Sequence, residues 1–299
     1  MTKSRTFHSN TKLLKVLRRL HNYSKFVVFF TFCLIVAGGL VTSTGSGLSV
    51  PDWPLSYGRA FPPMIGGIRF EHTHRVIAGL TGILTLILTT ALLRAEKRSW
   101  MRALGVLAFL AVIAQAVLGG LTVIYLLPTP VSVAHAALGQ IFFTLLCSMT
   151  FFLSSEYENS SRILGVNVAS LRRLLVATAV FVVLQLIAGS WVRHTAGHGM
   201  NIHFALAFLI FLHTLFIVFK VSKEPSLHKL LHHTFFLVFL VMGQVFLGLG
   251  TYWLKFHMKM SSGSEALTAT AHQATGALVL ATVVVLALRS FRLFQEERI

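Results

Sequence analysis

Charge is what this sequence has least of. Asp, Glu, Lys and Arg make up only 12% of its 299 residues, about half the share found in an ordinary soluble domain. A soluble globular protein is thereby excluded. Acids are scarcer still: nine Asp and Glu stand against 26 Lys and Arg, for a net charge of +17. Such an excess can mark nucleic-acid binding, but here the cations are scattered over the ends of apolar blocks, and no nucleic acid is expected as a partner. Cysteine is limited to Cys33 and Cys147, both inside apolar blocks. They read as core residues, so neither a disulfide nor a dithiol redox centre is expected.

What is present is hydrophobicity in long blocks. Apolar residues reach 55%, the mean hydropathy is +0.75, and the blocks approach the length that crosses a bilayer. The fold class expected is an all-α polytopic membrane protein. Its spans are read as Phe26–Thr42, Thr73–Leu93, Ala103–Leu127, Val131–Leu153, Leu174–Val192, Ile202–Phe219, Thr234–Leu254 and Leu267–Leu288. Lys and Arg crowd the N-terminal arm, the loops after the second, fourth and sixth spans, and the tail. The intervening loops carry only Arg59, Arg69, Arg193, Lys255 and Lys259. The positive-inside rule then puts both termini in the cytoplasm, in a cell inner (plasma) membrane. The small residues Ala37-Gly38-Gly39 could end a signal peptide. The long basic arm and the recurrence of the block later in the chain argue for a retained span instead.

The second half of the chain echoes the first. Ala37-Gly38-Gly39-Leu40-Val41 resembles Ala188-Gly189-Ser190-Trp191-Val192, and His74 matches His203. Gln115-Ala116-Val117-Leu118-Gly119 matches Gln244-Val245-Phe246-Leu247-Gly248, and Ala134-His135-Ala136 matches Ala271-His272-Gln273. Four matches in one order predict two pseudo-symmetric four-helix bundles in parallel repeat. The expected organisation is a basic arm at 1–25, a first half at 26–154, a cytoplasmic linker at 155–173, a second half at 174–289 and a tail at 290–299. The recurring glycines suit either plain helix packing or the close approach of a flat cofactor.

Histidines inside spans are rare and usually functional. Those at 8, 21, 228, 232 and 233 fall in cytoplasmic segments and read as solvated. His194, His198 and His257 read as interfacial, and His213 as a hydrogen-bonding partner to a neighbouring helix. His74, His135, His203 and His272 differ, because each starts an even-numbered span at similar depth near the outer face. Two histidines facing across each bundle suit a bis-imidazole haem. A zinc or copper site would want three or four clustered ligands, and each half offers two; four structural histidines are the other alternative.

The halves differ beside these histidines. At the spacing that aligns His74 with His203, Glu71 aligns with Met200 and Arg75 with Phe204. The carboxylate reads either as a solvated residue paired with Arg75, Arg69 or Arg59, or as a base or electrostatic group beside a bound haem. The asymmetry suggests chemistry in the first half and a permanent electron-transfer haem in the second. The turn-rich loop from Thr44 to Leu55 is a candidate lid for a site near Glu71 and His74. A two-haem b-type membrane cytochrome that leaves its haem unmodified, and a haem or metal transporter, are the competing functional readings.

Several motifs resemble the haem A synthase family: Gly38-Gly39-Leu40-Val41-Thr42, Thr44-Gly45-Ser46-Gly47, Asp52-Trp53-Pro54, Glu71-His72-Thr73-His74-Arg75 and Gly189-Ser190-Trp191-Val192-Arg193-His194-Thr195. The resemblance implies oxidation of the C8 methyl of haem O to a formyl group, giving haem A for terminal oxidases. It implies that His74 and His135 bind the substrate haem, with Arg75 beside it and Glu71 in the chemistry. It implies that His203 and His272 ligate a haem b that passes electrons. Haem O synthase and oxidase assembly proteins are the partners it suggests beside the lipid bilayer, and it leaves room for a homo-oligomer. The chain departs from the family in lacking a cysteine pair in the first outer loop, and in having Phe204 where an arginine often follows the histidine.

Overall fold

The computed structural model describes residues 2–255 and 262–295, with side chains described from residue 16 and, in the last helix, from residue 263. His257, Lys259, Arg298 and the side chain of His8 lie outside the described residues. Apolar blocks in a membrane must close their own backbone hydrogen bonds, and the helix is the one-segment solution. The long helices are α1 (Thr2–Ser43), α2 (Ile68–Ala95), α3 (Ser99–Ile124) and α4 (Thr129–Phe152), then, after the short α5 (Ser155–Asn159), α6 (Ala169–His194), α7 (Met200–Lys223), α8 (Leu231–Trp253) and α9 (Ser262–Leu293). Eight of them are long and apolar enough to cross a bilayer among the described residues. The chain is a multi-pass membrane protein.

The spans read from the sequence fall within these helices except at three ends, one of them Leu254, the C-cap of α8. Leu126 and Leu127 leave α3 with φ of 57° and 62°, a left-handed step that turns the chain into α4. Leu153 is the C-cap of α4 rather than part of it. At the other end of the chain, α1 runs without a break from the basic arm into the first span.

Neighbours in sequence pack in pairs, α1 on α2, α3 on α4, α6 on α7 and α8 on α9. Helices α1, α4, α6 and α9 also meet one another across the middle, and α4 and α9 are the most enclosed of the spans. The outward faces carry large apolar side chains such as Phe29, Phe239 and Phe246, as a lipid-facing surface requires. Several hydroxyls inside the spans are satisfied locally. Thr31, Thr81, Thr85, Thr144 and Thr214 each donate to the carbonyl one turn earlier, while Thr89 crosses from α2 to the Gly105 carbonyl of α3.

The linker is fastened to the end of α9. Arg289 makes a two-pronged pair with Glu156 at 2.7 Å on each arm, and Ile163–Leu164 pairs in parallel with Phe294–Gln295. The opposite end of the bundle holds two unequal connections. Residues 195–199 join α6 to α7 in a tight turn, with Gly197 at φ 102° and Gly199 at φ 84°. Residues 44–67 join α1 to α2 by a long irregular loop. This loop stands beside the first histidine pair.

Candidate functional site

Each of the four singled-out histidines meets a glycine on the preceding helix. A methyl group built on Gly38 would lie 3.0 Å from Cε1 of His74, and one on Gly119 3.3 Å from Cε1 of His135. The values are 2.8 Å for Gly189 against His203 and 3.0 Å for Gly248 against His272. Ordinary contact between carbons needs about 3.5–4.0 Å, so the imidazoles lie in grooves that only glycine leaves open. The Nδ1 atoms of all four are buried and close no hydrogen bond. Each ring lies beside a backbone carbonyl one turn before its glycine, those of Leu34, Gln115, Gln185 and Gln244. The helices are further pinned by side-chain amides: Gln115 donates to the His135 carbonyl at 2.9 Å, and Gln244 to the His272 carbonyl at 2.6 Å.

The His203 and His272 rings oppose each other with centroids 6.2 Å apart and planes at 79°. These two rings would be the side chains to hold a metal-centred group placed between α7 and α9. The backbone carbonyl beside each ring also suits a ligand role, since a metal-bound imidazole turns its other nitrogen to a carbonyl or carboxylate. Among the described residues no three His, Cys, Asp or Glu side chains converge. The donor set thus fits a ring-held iron with two axial imidazoles better than a three- or four-ligand ion. Gln185 brings its amide nitrogen to 3.4 Å from Nε2 of His203, so this amide borders the same space. A cavity lined by Arg172, Arg173, Val176 and Phe291 opens at the other end of the bundle and touches none of these histidines.

The first half carries a second layer. Glu71 is buried, with a relative exposure of 3%. One carboxylate oxygen accepts from Arg75 at 2.5 Å and the other from the Val50 amide at 2.8 Å. Of the two readings left open for Glu71, the pairing with Arg75 is present, but the residue is enclosed rather than solvated. Arg75 also donates to the carbonyls of Asp52 at 2.6 Å, Leu55 at 2.7 Å and Val50 at 3.2 Å. His72 is buried and pairs with the Ser56 hydroxyl at 2.9 Å. Three side chains of the Glu-His-Thr-His-Arg run therefore grip the outer loop, while His74 alone turns to Gly38. Within the loop, Asp52 accepts from the amides of Tyr57 at 2.6 Å and Gly58 at 2.7 Å. The Gly58 bond, with the Arg75 charge behind it, holds the Asp52 carboxyl below its usual range.

Trp53 closes the loop over the bundle. A methyl on Gly120 would fall 2.8 Å from its indole Cδ2, so the ring presses on the helix next to the Gly119–His135 contact. The sequence did not single out Trp53 as a wall of the site or His72 as a clamp; the doubled glycine at 119–120 was the available signal. In the second half Phe204 packs edge-on against Tyr252 at 5.8 Å instead. Away from the site, His213 bonds the Thr178 hydroxyl of α6 at 3.1 Å, in keeping with its expected structural role. His21 departs from its solvated reading: it is half-buried and meets the Thr150 carbonyl at 3.0 Å.

Fold and site together define a polytopic membrane protein with paired histidines held between helices near one end of the bundle. The family model of the COX15-CtaA cytochrome oxidase assembly proteins matches residues 21–66 and 68–201, and the chain belongs to that family. The matched stretch includes Glu71, His74 and His135 and ends two residues before His203. Similar proteins named heme A synthase are found in Exiguobacterium sibiricum, 28% identical over 247 residues and covering 74% of this chain and 82% of the relative, and in Exiguobacterium sp. strain AT1b, 25% identical over 235 residues with 70% and 75% covered. A heme A synthase of Bacillus pumilus is 32% identical over 142 residues, 45% of this chain and 46% of that protein.

Proposed function

We propose that this protein is a membrane oxidoreductase that converts haem O to haem A by oxidising the C8 methyl group to a formyl group. The observation that carries the reading is the fourfold glycine–histidine contact, joined to a buried carboxylate in one half only. The family membership and the relatives' names support an enzyme of haem A formation. They give no support to an electron carrier that leaves its haem unmodified.

In this reading His74 and His135 bind the substrate haem in the first half, and His203 and His272 hold a haem b in the second. A haem b held there would supply a redox-active iron to the second half. The side chains of the chain do the rest. The glycine grooves set the imidazole planes, and Gln115 and Gln244 lock the helices that carry His135 and His272. Glu71 keeps a negative charge beside the first site, where positive charge develops on the substrate or a proton must be taken. Arg75, His72 and Glu71 hold the 44–67 loop down as a lid, and Trp53 of that loop rests on Gly120 beside the Gly119–His135 contact. Arg75 is engaged by loop carbonyls, so a direct contact with the substrate would require the lid to lift.

Orientation follows from the cation-rich end. Arg98, Arg172, Arg289 and Arg292 lie at the end opposite the histidines, which the positive-inside rule assigns to the cytoplasm, with both termini there and the haem sites near the outer face. Haem O synthase and oxidase assembly proteins are the partners this chemistry calls for, the first to supply substrate and the second to receive product.

The test is expression in cells that make haem O and have no haem A synthase of their own, followed by chromatography of extracted haem with mass detection. The reading expects haem A, or its hydroxylated precursor, to appear. Haem O and haem B alone, with the protein present in the membrane, would sink it.

A further inference from the structure

Arg193 is a partly buried cation that the account so far does not use. It lies in the last turn of α6, four residues beyond Gly189. Positions four apart share a helix face, so its guanidinium stands one turn outward of the Gly189–His203 contact. Its partners are all neutral: Gln273 Oε1 at 2.5 Å, the Gly39 carbonyl at 3.2 Å and the Ser43 hydroxyl. Gln273 adjoins His272 in α9. Glu265 acts on Arg193 only through its charge, with no hydrogen bond between them. A partly enclosed cation whose hydrogen-bond partners are all neutral has no close counter-charge, which favours an anion as a further partner.

The comparison between halves sharpens this. Beside the first histidine pair the guanidinium is Arg75, from the helix of the histidine, and it is saturated by Glu71 and loop carbonyls. The matching position in the second half is Phe204, which offers no charge. At the spacing that aligns Gly38 with Gly189, Arg193 corresponds to Thr42. The second half thus lacks a cation next to its first histidine and gains one from the helix of the glycine.

We propose that Arg193 is the anion anchor of the second haem site, binding a propionate carboxylate of the porphyrin held by His203 and His272. The proposal rests on the reading of that pair as haem ligands. The fork of the guanidinium suits a carboxylate, and its donation to Gln273 and Gly39 fixes it between α9 and α1, so the anchor is built before the ligand arrives. The arrangement also ties the second site to the Gly38–Gly39 turn of the first.

The test compares how fast the full-length protein loses haem b and its dimethyl ester to a haem-capturing apoprotein. The wild-type chain is expected to lose the ester about tenfold faster, as suits one charge-assisted pair. Arg193→Gln is expected to lose both forms at one rate, and Arg193→Lys to keep most of the wild-type ratio. Equal rates for the two forms in the wild-type chain, or an unchanged ratio in Arg193→Gln, would overturn the anchor. The wild-type comparison alone decides against it even if Arg193→Gln does not accumulate. Failure of the underlying reading looks different: His203→Ala and His272→Ala would then leave the haem content of the protein unchanged.

Discussion

Adding one methyl group at Gly189 tests the glycine grooves most severely. The new carbon would sit 2.8 Å from Cε1 of His203, roughly an ångström inside ordinary carbon contact, so the imidazole must swing or the helices must part. Overpacking of this kind costs about 1–3 kcal/mol. Alanine returns about 0.8–1.0 kcal/mol of helix propensity over glycine. The fold is therefore expected to survive with a net loss of about 2 kcal/mol or less, while the ring proposed as a haem ligand is displaced. Gly248→Ala, at 3.0 Å from His272, is expected to act in the same sense, and Gly119→Ala, at 3.3 Å from His135, to be the mildest of the series. Gly243→Ala and Gly250→Ala meet nothing within 4 Å and serve as controls that gain stability by about 1 kcal/mol at most. The assay is the haem-to-protein ratio of purified protein, read with the electron paramagnetic resonance of the ferric haem, which reports the angle between the axial rings. If Gly189→Ala and Gly248→Ala held haem with the ratio and spectrum of Gly243→Ala, the reasoning from the grooves would be refuted.

Other perturbations probe the surroundings of the site. Arg75→Ala removes four hydrogen bonds and strands the buried Glu71 carboxylate. About 2–4 kcal/mol of lid docking should be lost, seen as faster amide exchange and protease cleavage confined to residues 44–67; unchanged protection there would mean Arg75 is no latch. Glu96 is buried, and Arg98 reaches it through its backbone amide, Nε and a terminal nitrogen at 2.7–3.0 Å. Burial alone would raise the Glu96 carboxyl, but Arg98 outweighs it and leaves it below the usual range. Glu96→Ala should lower thermal stability by about 1–3 kcal/mol with the haem spectrum intact. Asp52 is likewise held low, first by the Gly58 amide. Its contribution to the loop is therefore present above the ordinary aspartate value of 3.8 and lost as pH falls through its lower folded value. Amide exchange at Tyr57 and Gly58 should rise only in strongly acid solution, and the same rise near neutrality would contradict the assignment.

Much of this arrangement was legible in the sequence because a bilayer leaves few choices. Apolar blocks must be helices, and a histidine inside one is conspicuous, so His74, His135, His203 and His272 stood out, and each meets a glycine of the preceding helix. The repeated glycines were visible too, but whether Gly38 or Gly248 served plain packing or a ring depended on which helix faced it. The lid was legible only as a turn-rich stretch. Its contacts, Val50 to Glu71, Ser56 to His72 and Trp53 to Gly120, depend on an irregular chain path that no periodicity encodes. Arg193 was hidden for a similar reason. It stood in the Gly189–Thr195 motif and among the few cations of the sparse loops, but its meaning comes from α1 and α9 closing around it.

The division of labour between the halves is the central claim, and haem extraction from three variants tests it most directly. The protein would be purified from cells that make haem O, and its haem separated by chromatography with mass detection. In Glu71→Gln we expect no haem A or hydroxylated intermediate but a full complement of haem b. In His203→Ala and His272→Ala we expect the haem b itself to be lost. Equal loss of haem in all three, or haem A made as well by Glu71→Gln as by the wild-type chain, would contradict the account.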